Sequence, residues 1–242
     1  MTSLIHRCPK CGAYFNPPRD ATAACPQCGI WFRKWKTEPA APLVEHIDIA
    51  EEAAEESAVA DPVTFYGRLA GLAFVAIWGI QLSLLDYRVG EQGESFMHNI
   101  LLPIHEAGHI FFMPLGHFMM ILGGSFFQVA LPLGIGVAFL WKQREPFGAA
   151  MMLWWAGASL VDLSPYVWDS LQPQLTLLGG HTGAEGGPHD WIYLLGTLGI
   201  LHRAHGWGVF VHHLGVLMMF AGVAWGGWFC WKVFKVRREA AR

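Results

Sequence analysis

His105, Glu106 and His109 stand in an apolar run, Leu101 to Leu122, that reads LLPIHEAGHIFFMPLGHFMMIL. In a helix, positions four apart lie about one turn from each other, so both imidazoles leave the same face. Two imidazoles on one face can hold a divalent metal, usually zinc, and Glu106 beside them is a candidate general base. In an arbitrary soluble chain the H-E-x-x-H string is weak evidence. Inside hydrocarbon an acidic side chain costs roughly 2.5–3.5 kcal/mol even on lenient insertion scales. Chance retention of three ionisable groups there is therefore less plausible than a bound cation.

A second set of ligand-type residues lies near the N-terminus, in CPKCGAYFNPPRDATAACPQCG. Cys8 and Cys11 form one C-x-x-C pair, and Cys25 and Cys28 form another. Each pair has Pro after its first Cys and Gly after its second. The glycines let the backbone turn tightly, so that amides can point at the thiolate sulfurs. Two such pairs at this spacing predict tetrahedral four-thiolate zinc, as in a zinc ribbon. Disulfides are the competing reading, and a cytoplasmic location disfavours them. So short a domain has little core, and the metal is expected to supply most of its folding energy. Cys230, in the last apolar segment, reads as a packed small apolar residue.

The elements that must position these residues follow from composition. The chain has 242 residues, 53% hydrophobic and 14% charged, with a mean hydropathy of +0.33. That average hides a polar N-terminal quarter followed by an overwhelmingly apolar remainder. The fold expected is an all-α polytopic membrane protein with about five to six transmembrane or re-entrant helices and a small N-terminal zinc-ribbon domain. Its expected divisions are a ribbon at 1–36, an acidic flexible linker at 37–62, a transmembrane helical domain at 63–235 and a basic cytoplasmic tail at 236–242. The linker holds eight acidic residues and no Lys or Arg. Its second half has at most a loose acidic helix. Lys and Arg cluster at both chain ends, so the positive-inside rule predicts a multi-pass protein with both termini cytoplasmic. A nucleic-acid partner is not expected, because the basic head lacks a groove with interleaved aromatics.

Along the chain, Phe65 to Leu85 reads as a first span. The metal-type motif starts the second near Ile100, with Pro103 in its first turn and Pro114 kinking its interior. Gly123, Gly124 and Ser125 read as a break before a third apolar element, Phe126 to Trp141. A fourth runs from Phe147 to Trp168 and buries Asp162. After a Gly-rich loop, Asp190 stands as a candidate N-cap of a segment too short to span. The last span is Trp207 to Val233. His117 lies about 80° round the helix from His109 and has a surface or hydrogen-bonding role. His202, His205, His212 and His213 have no diagnostic spacing.

The embedded H-E-x-G-H helix, followed by GGSFFQ and further spans, resembles the site-two protease class of intramembrane zinc metalloproteases. The resemblance covers roughly residues 95–215 and rests on HEAGH. It implies His105 and His109 as zinc ligands, Glu106 as the base that activates water, and a distant Asp as third ligand. The usual segment for that Asp is absent here. Asp190 is the preferred substitute, with His189 and then Asp162 as alternatives. Simple crossings would put His105 and Asp190 on opposite sides, so one apolar element must be re-entrant or the third ligand must come from His202 to His213.

The reading is an intramembrane zinc metalloprotease-like hydrolase with two zinc ions, one catalytic and one structural. Its expected partners are the lipid bilayer, a membrane protein or peptide substrate, and a cytoplasmic protein docked through the ribbon. Two rival classes are a non-catalytic membrane adaptor with structural metal sites and, less favoured, a metal transporter or sensor. A transporter would ordinarily show paired interrupted helices, which this chain lacks.

Overall fold

The computed structural model describes residues 4–32, 49–59, 62–186 and 189–242. It divides into two units, Met1–Ile47 and Asp48–Arg242. In the first, strand β1 (Leu4–Arg7) pairs antiparallel with β2 (Tyr14–Asp20). Phe15 and Phe32 pack with Cys8 and Cys25 into a very small core. Residues 33–48, which hold the last four positions of the expected ribbon and the start of the expected linker, lie outside the described residues.

The second unit is helical. Its elements are α1 (Ile49–Val59), α2 (Pro62–Leu84), α3 (Phe96–Phe112), α4 (His117–Ala138), α5 (Pro146–Asp169), α6 (Asp190–Thr197) and α7 (Ala204–Ala240). Four stretches are long and apolar enough to cross a membrane: α2, α4 with the π turn that extends it to Gln143, α5, and α7 with the turn before it. The described residues therefore supply four candidate spans where about five to six spanning or re-entrant helices are expected. At 17 and 8 residues, α3 and α6 are shorter than these spans.

The difference has a local cause. The run Leu101 to Leu122 is two helices and not one kinked span. A 3₁₀ turn at Met113–Leu115 carries Pro114, and Gly116 adopts a φ of 95°, a conformation that favours glycine. The chain reverses there. Upstream, Ser95 caps α3 by accepting from the His98 amide at 3.1 Å, so the helix starts at Phe96 and Pro103 falls in its interior. The expected break at Gly123–Ser125 is absent, because α4 runs straight through it.

Those glycines serve close packing. A Cβ on Gly108 would lie 2.3 Å from the Gly123 carbonyl oxygen, and one on Gly123 would lie 2.7 Å from the Gly108 carbonyl oxygen. Backbones of α3 and α4 can touch only with hydrogen at both positions. The same device joins α5 and α7. Gly157 meets Gly215 and Met219, Gly208 meets Trp168, and Gly222 meets Ala150 and Trp154, each at 2.5–3.1 Å from an added Cβ. Small residues let van der Waals contact replace the hydrophobic drive that lipid does not provide.

These contacts also fix the helix directions. Early α7 lies on late α5, and late α7 lies on early α5, so the pair is antiparallel. Gly136 of α4 meets Ala149 and Met152 of α5, while Gln128 reaches Asp162, so α4 and α5 are antiparallel too. Helix α3 begins beside Trp78, whose ring stacks on Phe96 with centroids 6.3 Å apart. Trp78 lies six residues before the end of α2. The chain after α2 thus folds back into the bundle, with Gln92 buried and donating to the Leu85 carbonyl at 3.0 Å. Irregular backbone at such depth is tolerated where protein covers it.

Helix α1 falls within the expected linker. Its Ala53 and Ala54 are buried against Phe65, Phe229 and Val233, and Glu52 receives a 2.7 Å ion pair from Arg144. The acidic face stays outward while two alanines give the inner face.

Candidate metal centres

In the first unit, the two knuckles bring four sulfurs together. Gly12 and Gly29 sit at φ 74° and 73°, and their amides close tight turns onto the carbonyls of Cys8 and Cys25. Cys8 Sγ lies 3.7 Å from Cys28 Sγ, and Cys11 Sγ lies 3.7 Å from Cys25 Sγ. All four ligand atoms fall within 4.8 Å of one another. A disulfide would need about 2.05 Å. Zinc–sulfur bonds of about 2.3 Å in a tetrahedron give edges of about 3.8 Å, which matches. Burial pushes the Cys8 thiol up, while the backbone amides of Cys11 and Lys10 and the neighbouring sulfurs bring it down to about 6; the same sulfur contacts push Cys11 up. A thiolate already favoured by the backbone is a ready metal ligand. The four cysteines therefore form a possible zinc-ribbon site.

In the helical unit, α3 carries His105 and His109 one turn apart, and the N-terminal end of α6 carries Asp190. Asp190 Oδ2 lies 3.0 Å from His105 Nε2 and 3.3 Å from His109 Nε2. The three ligand atoms form a second possible metal site. Zinc bonds of about 2.0–2.1 Å in a tetrahedron give edges near 3.3 Å, again close to what is observed.

The far sides of both rings decide what the near sides can do. His109 Nδ1 lies 2.8 Å from the Met120 carbonyl oxygen, which can only accept, so Nδ1 carries a proton. His105 Nδ1 donates to Gln128 Oε1 at 3.0 Å. Gln128 Nε2 donates to Asp162 Oδ2 at 2.9 Å, and His98 Nδ1 donates to Asp162 Oδ1 at 2.9 Å. With protons on both Nδ1 atoms, each Nε2 offers a lone pair toward Asp190. Three electron-rich atoms at this spacing require a cation between them, either a proton or a metal.

Helix α4 passes close beneath. A Cβ on Gly124 would lie 2.6 Å from Nε2 of both His105 and His109. Glycine there leaves room for the rings, and no larger residue fits without moving them. Glu106 lines the adjoining cavity, of about 290 Å³, with His98, Tyr166, Leu177 and Leu178. Its carboxylate makes no hydrogen bond or ion pair among the described residues.

Of the other sequence candidates, Asp162 and His189 line the same cavity without joining the three ligand atoms. Asp162 is not beside the three ligand atoms. It is buried in α5 and anchors the Gln128 and His98 side chains instead. His189 is the N-cap of α6, accepting from the Ile192 amide at 3.3 Å, while its Nε2 faces Asp169 Oδ2 at 3.4 Å. Asp190 is thus the first helical residue and not the cap. His205 stacks on Trp168, His212 on Tyr87, and His213 bonds the Val209 carbonyl, so none joins the cluster. His117 packs edge-on against Tyr193. Sequence reasoning missed Gln128, His98 and Gly124 as supports. The available signal was Gln128, an uncharged polar side chain in the middle of an apolar helix.

No family model, curated protein or solved structure matches the chain.

Proposed function

We propose that the helical unit is an intramembrane zinc hydrolase that cleaves peptide bonds of a membrane protein, as the resemblance to site-two proteases implies. The observation that carries this is the triad of His105 Nε2, His109 Nε2 and Asp190 Oδ2 with protons directed to the far sides of both rings. Three protein ligands leave one tetrahedral position for water, the arrangement of catalytic and not structural zinc. When bound, the metal would polarise a peptide carbonyl and lower the pKa of its water toward 7.

The chain's own residues supply the rest. Glu106 lines the cavity next to the two ligands, with no competing partner among the described residues. It takes a proton from the attacking water and returns it to the leaving amine. Gln128 and the Met120 carbonyl hold the imidazoles in the ligating tautomer. Leu102, Leu163, Leu177 and Leu178 give the cavity an apolar wall, suited to an unwound stretch of a membrane segment. The four-cysteine unit docks a substrate or a partner protein.

The test is Glu106→Gln in the purified, zinc-loaded full chain. Cleavage of membrane-anchored test peptides falls by roughly 10²–10⁴, while zinc content is unchanged. Equal cleavage by wild type and variant removes Glu106 from the chemistry. A fully four-coordinate protein site, measured by X-ray absorption, would favour a structural metal instead.

A further inference from the structure

We propose that the His105–His109–Asp190 site works from the membrane face opposite the basic helix ends, the extracytoplasmic face. Its substrates are then membrane-anchored polypeptides cleaved in the outer half of the bilayer. This rests on the hydrolase reading for the word substrate, and on charge and geometry for the side.

Two independent patterns carry it. The first is charge. The residues from 49 onward hold ten Lys and Arg. Arg68, Lys142, Arg144, Lys232, Lys235, Arg237, Arg238 and Arg242 gather at the end of the bundle where α2 and α5 start and α4 and α7 finish. Arg68 pairs with Glu145 at 2.9 Å, and Arg144 pairs with Glu52 of α1, which packs on late α7. Lys232 and Lys235 lie over Trp228 and Trp231, the pairing of cation and amphipathic ring found at a membrane interface. Only Arg88 and Arg203 lie at the other end. Eight against two assigns the basic end to the cytoplasm. Lys142 and Arg144 fall at that same end with α2, α4, α5 and α7 as the spans.

The second pattern is depth. Asp162 sits sixteen residues past the start of α5 and seven before its end. At 1.5 Å per residue these are about 24 Å and about 10 Å. Gln128 and His105 lie at the same level, tied to Asp162 by the hydrogen-bond chain. Asp190 arrives from α6, which follows the loop that leaves the far end of α5. Leu177 and Leu178 of that loop line the cavity. Water therefore has the shorter way in from the face opposite the basic end. So has a peptide bond near the outer end of an anchored segment.

Impermeant thiol labelling tests the side without any assay of activity. Leu178→Cys and Lys235→Cys are each made in the full chain, in sealed right-side-out and inverted vesicles. The labelled peptide is read by mass, so that native cysteines do not interfere. The expected result is Leu178→Cys modified only in right-side-out vesicles and Lys235→Cys only in inverted ones. Modification of Leu178→Cys from the same side as Lys235→Cys overturns the proposal. A second arm maps the cut in anchored peptides with sites in the inner or outer half. Cleavage confined to the inner half overturns the substrate class. Absence of cleavage in both, with labelling as expected, sinks the hydrolase reading and leaves the sidedness standing.

Discussion

The two metal-type clusters solve the same problem with opposite resources. The four cysteines hang on two short strands and two turns, and among the described residues Phe15, Phe32, Ile5, Ile30 and two alanines pack around them. The His–His–Asp cluster sits among helices that have their own core of Leu82, Leu101, Trp154, Val161 and Met219. In the first, the ligands are the core. In the second, the ligands decorate a scaffold that other contacts already hold. A site whose fold depends on its metal keeps every ligand position filled. A site whose fold does not depend on it can leave one open.

The largest effect that would break this contrast is the loss of one cysteine. Cys25→Ser should abolish metal binding at the four-cysteine cluster and unfold residues 4–32, because apparent zinc-binding energies of about 10–16 kcal/mol are folding energies in such units. His109→Ala should abolish metal binding at the other cluster and leave the helical circular dichroism and melting temperature nearly unchanged. Proteolysis of the ribbon segment and zinc counting distinguish the two. Unfolding of the helices on loss of His109 would end the comparison.

A smaller effect tests whether α4 shapes the second site. Gly124→Ala puts a methyl 2.6 Å from both rings. It should lower zinc affinity at that site about 100-fold, or about 2.7 kcal/mol, with the ribbon zinc retained. Smaller again is Gln128→Leu, which leaves His105 Nδ1 without its acceptor. Supporting hydrogen bonds of this kind are worth about 10–100-fold in metal affinity, and a competition titration should find the lower end of that range. An unchanged affinity would mean that the chain to Asp162 holds nothing in place.

The smallest effect belongs to an exposed pair. Arg88, by donating hydrogen bonds to Asp86, holds its carboxyl well below the ordinary value, at about 2. A depressed carboxylate adds stability that is complete above its unfolded value of about 4 and is lost as pH falls through 2. Between pH 8 and 5 this pair contributes no slope, and solvent screens it further. Arg88→Ala should leave the melting temperature of the helical unit unresolved from wild type over that range. A clear pH-dependent drop would mark the loop as part of the stability that the metal site relies on.

The candidate ligands are easier to read in the chain than their surroundings. Two C-x-x-C-G knuckles and H-E-x-x-H have spacings tied directly to coordination, and a carboxylate at a helix start is a rigid ligand, so Cys8 to Cys28, His105, His109 and Asp190 could be named together. The supports have no such signature. Asp162 looked like a ligand because a buried acid in an apolar helix suggests one. It is equally well explained as the acceptor of two hydrogen bonds, which only the packing reveals. Gly123 and Gly124 looked like a break because glycine weakens isolated helices. In lipid the same residue is chosen for close approach. The reversal at Gly116 was hidden because the apolar run continues across it without a change of composition.

Asp190 is the one ligand that α3 does not carry. It stands at the far end of the loop that follows α5, and a cation shared with His105 and His109 would fasten that segment across the cavity like a buckle on a strap. Stripping the cation with a chelator would leave the strap held by weaker contacts, among them the hydrogen bonds to Asp169, the packing of Leu171 and the cap at His189. The loop from Leu171 to Gly186 would then become the part of the helical unit most open to added protease.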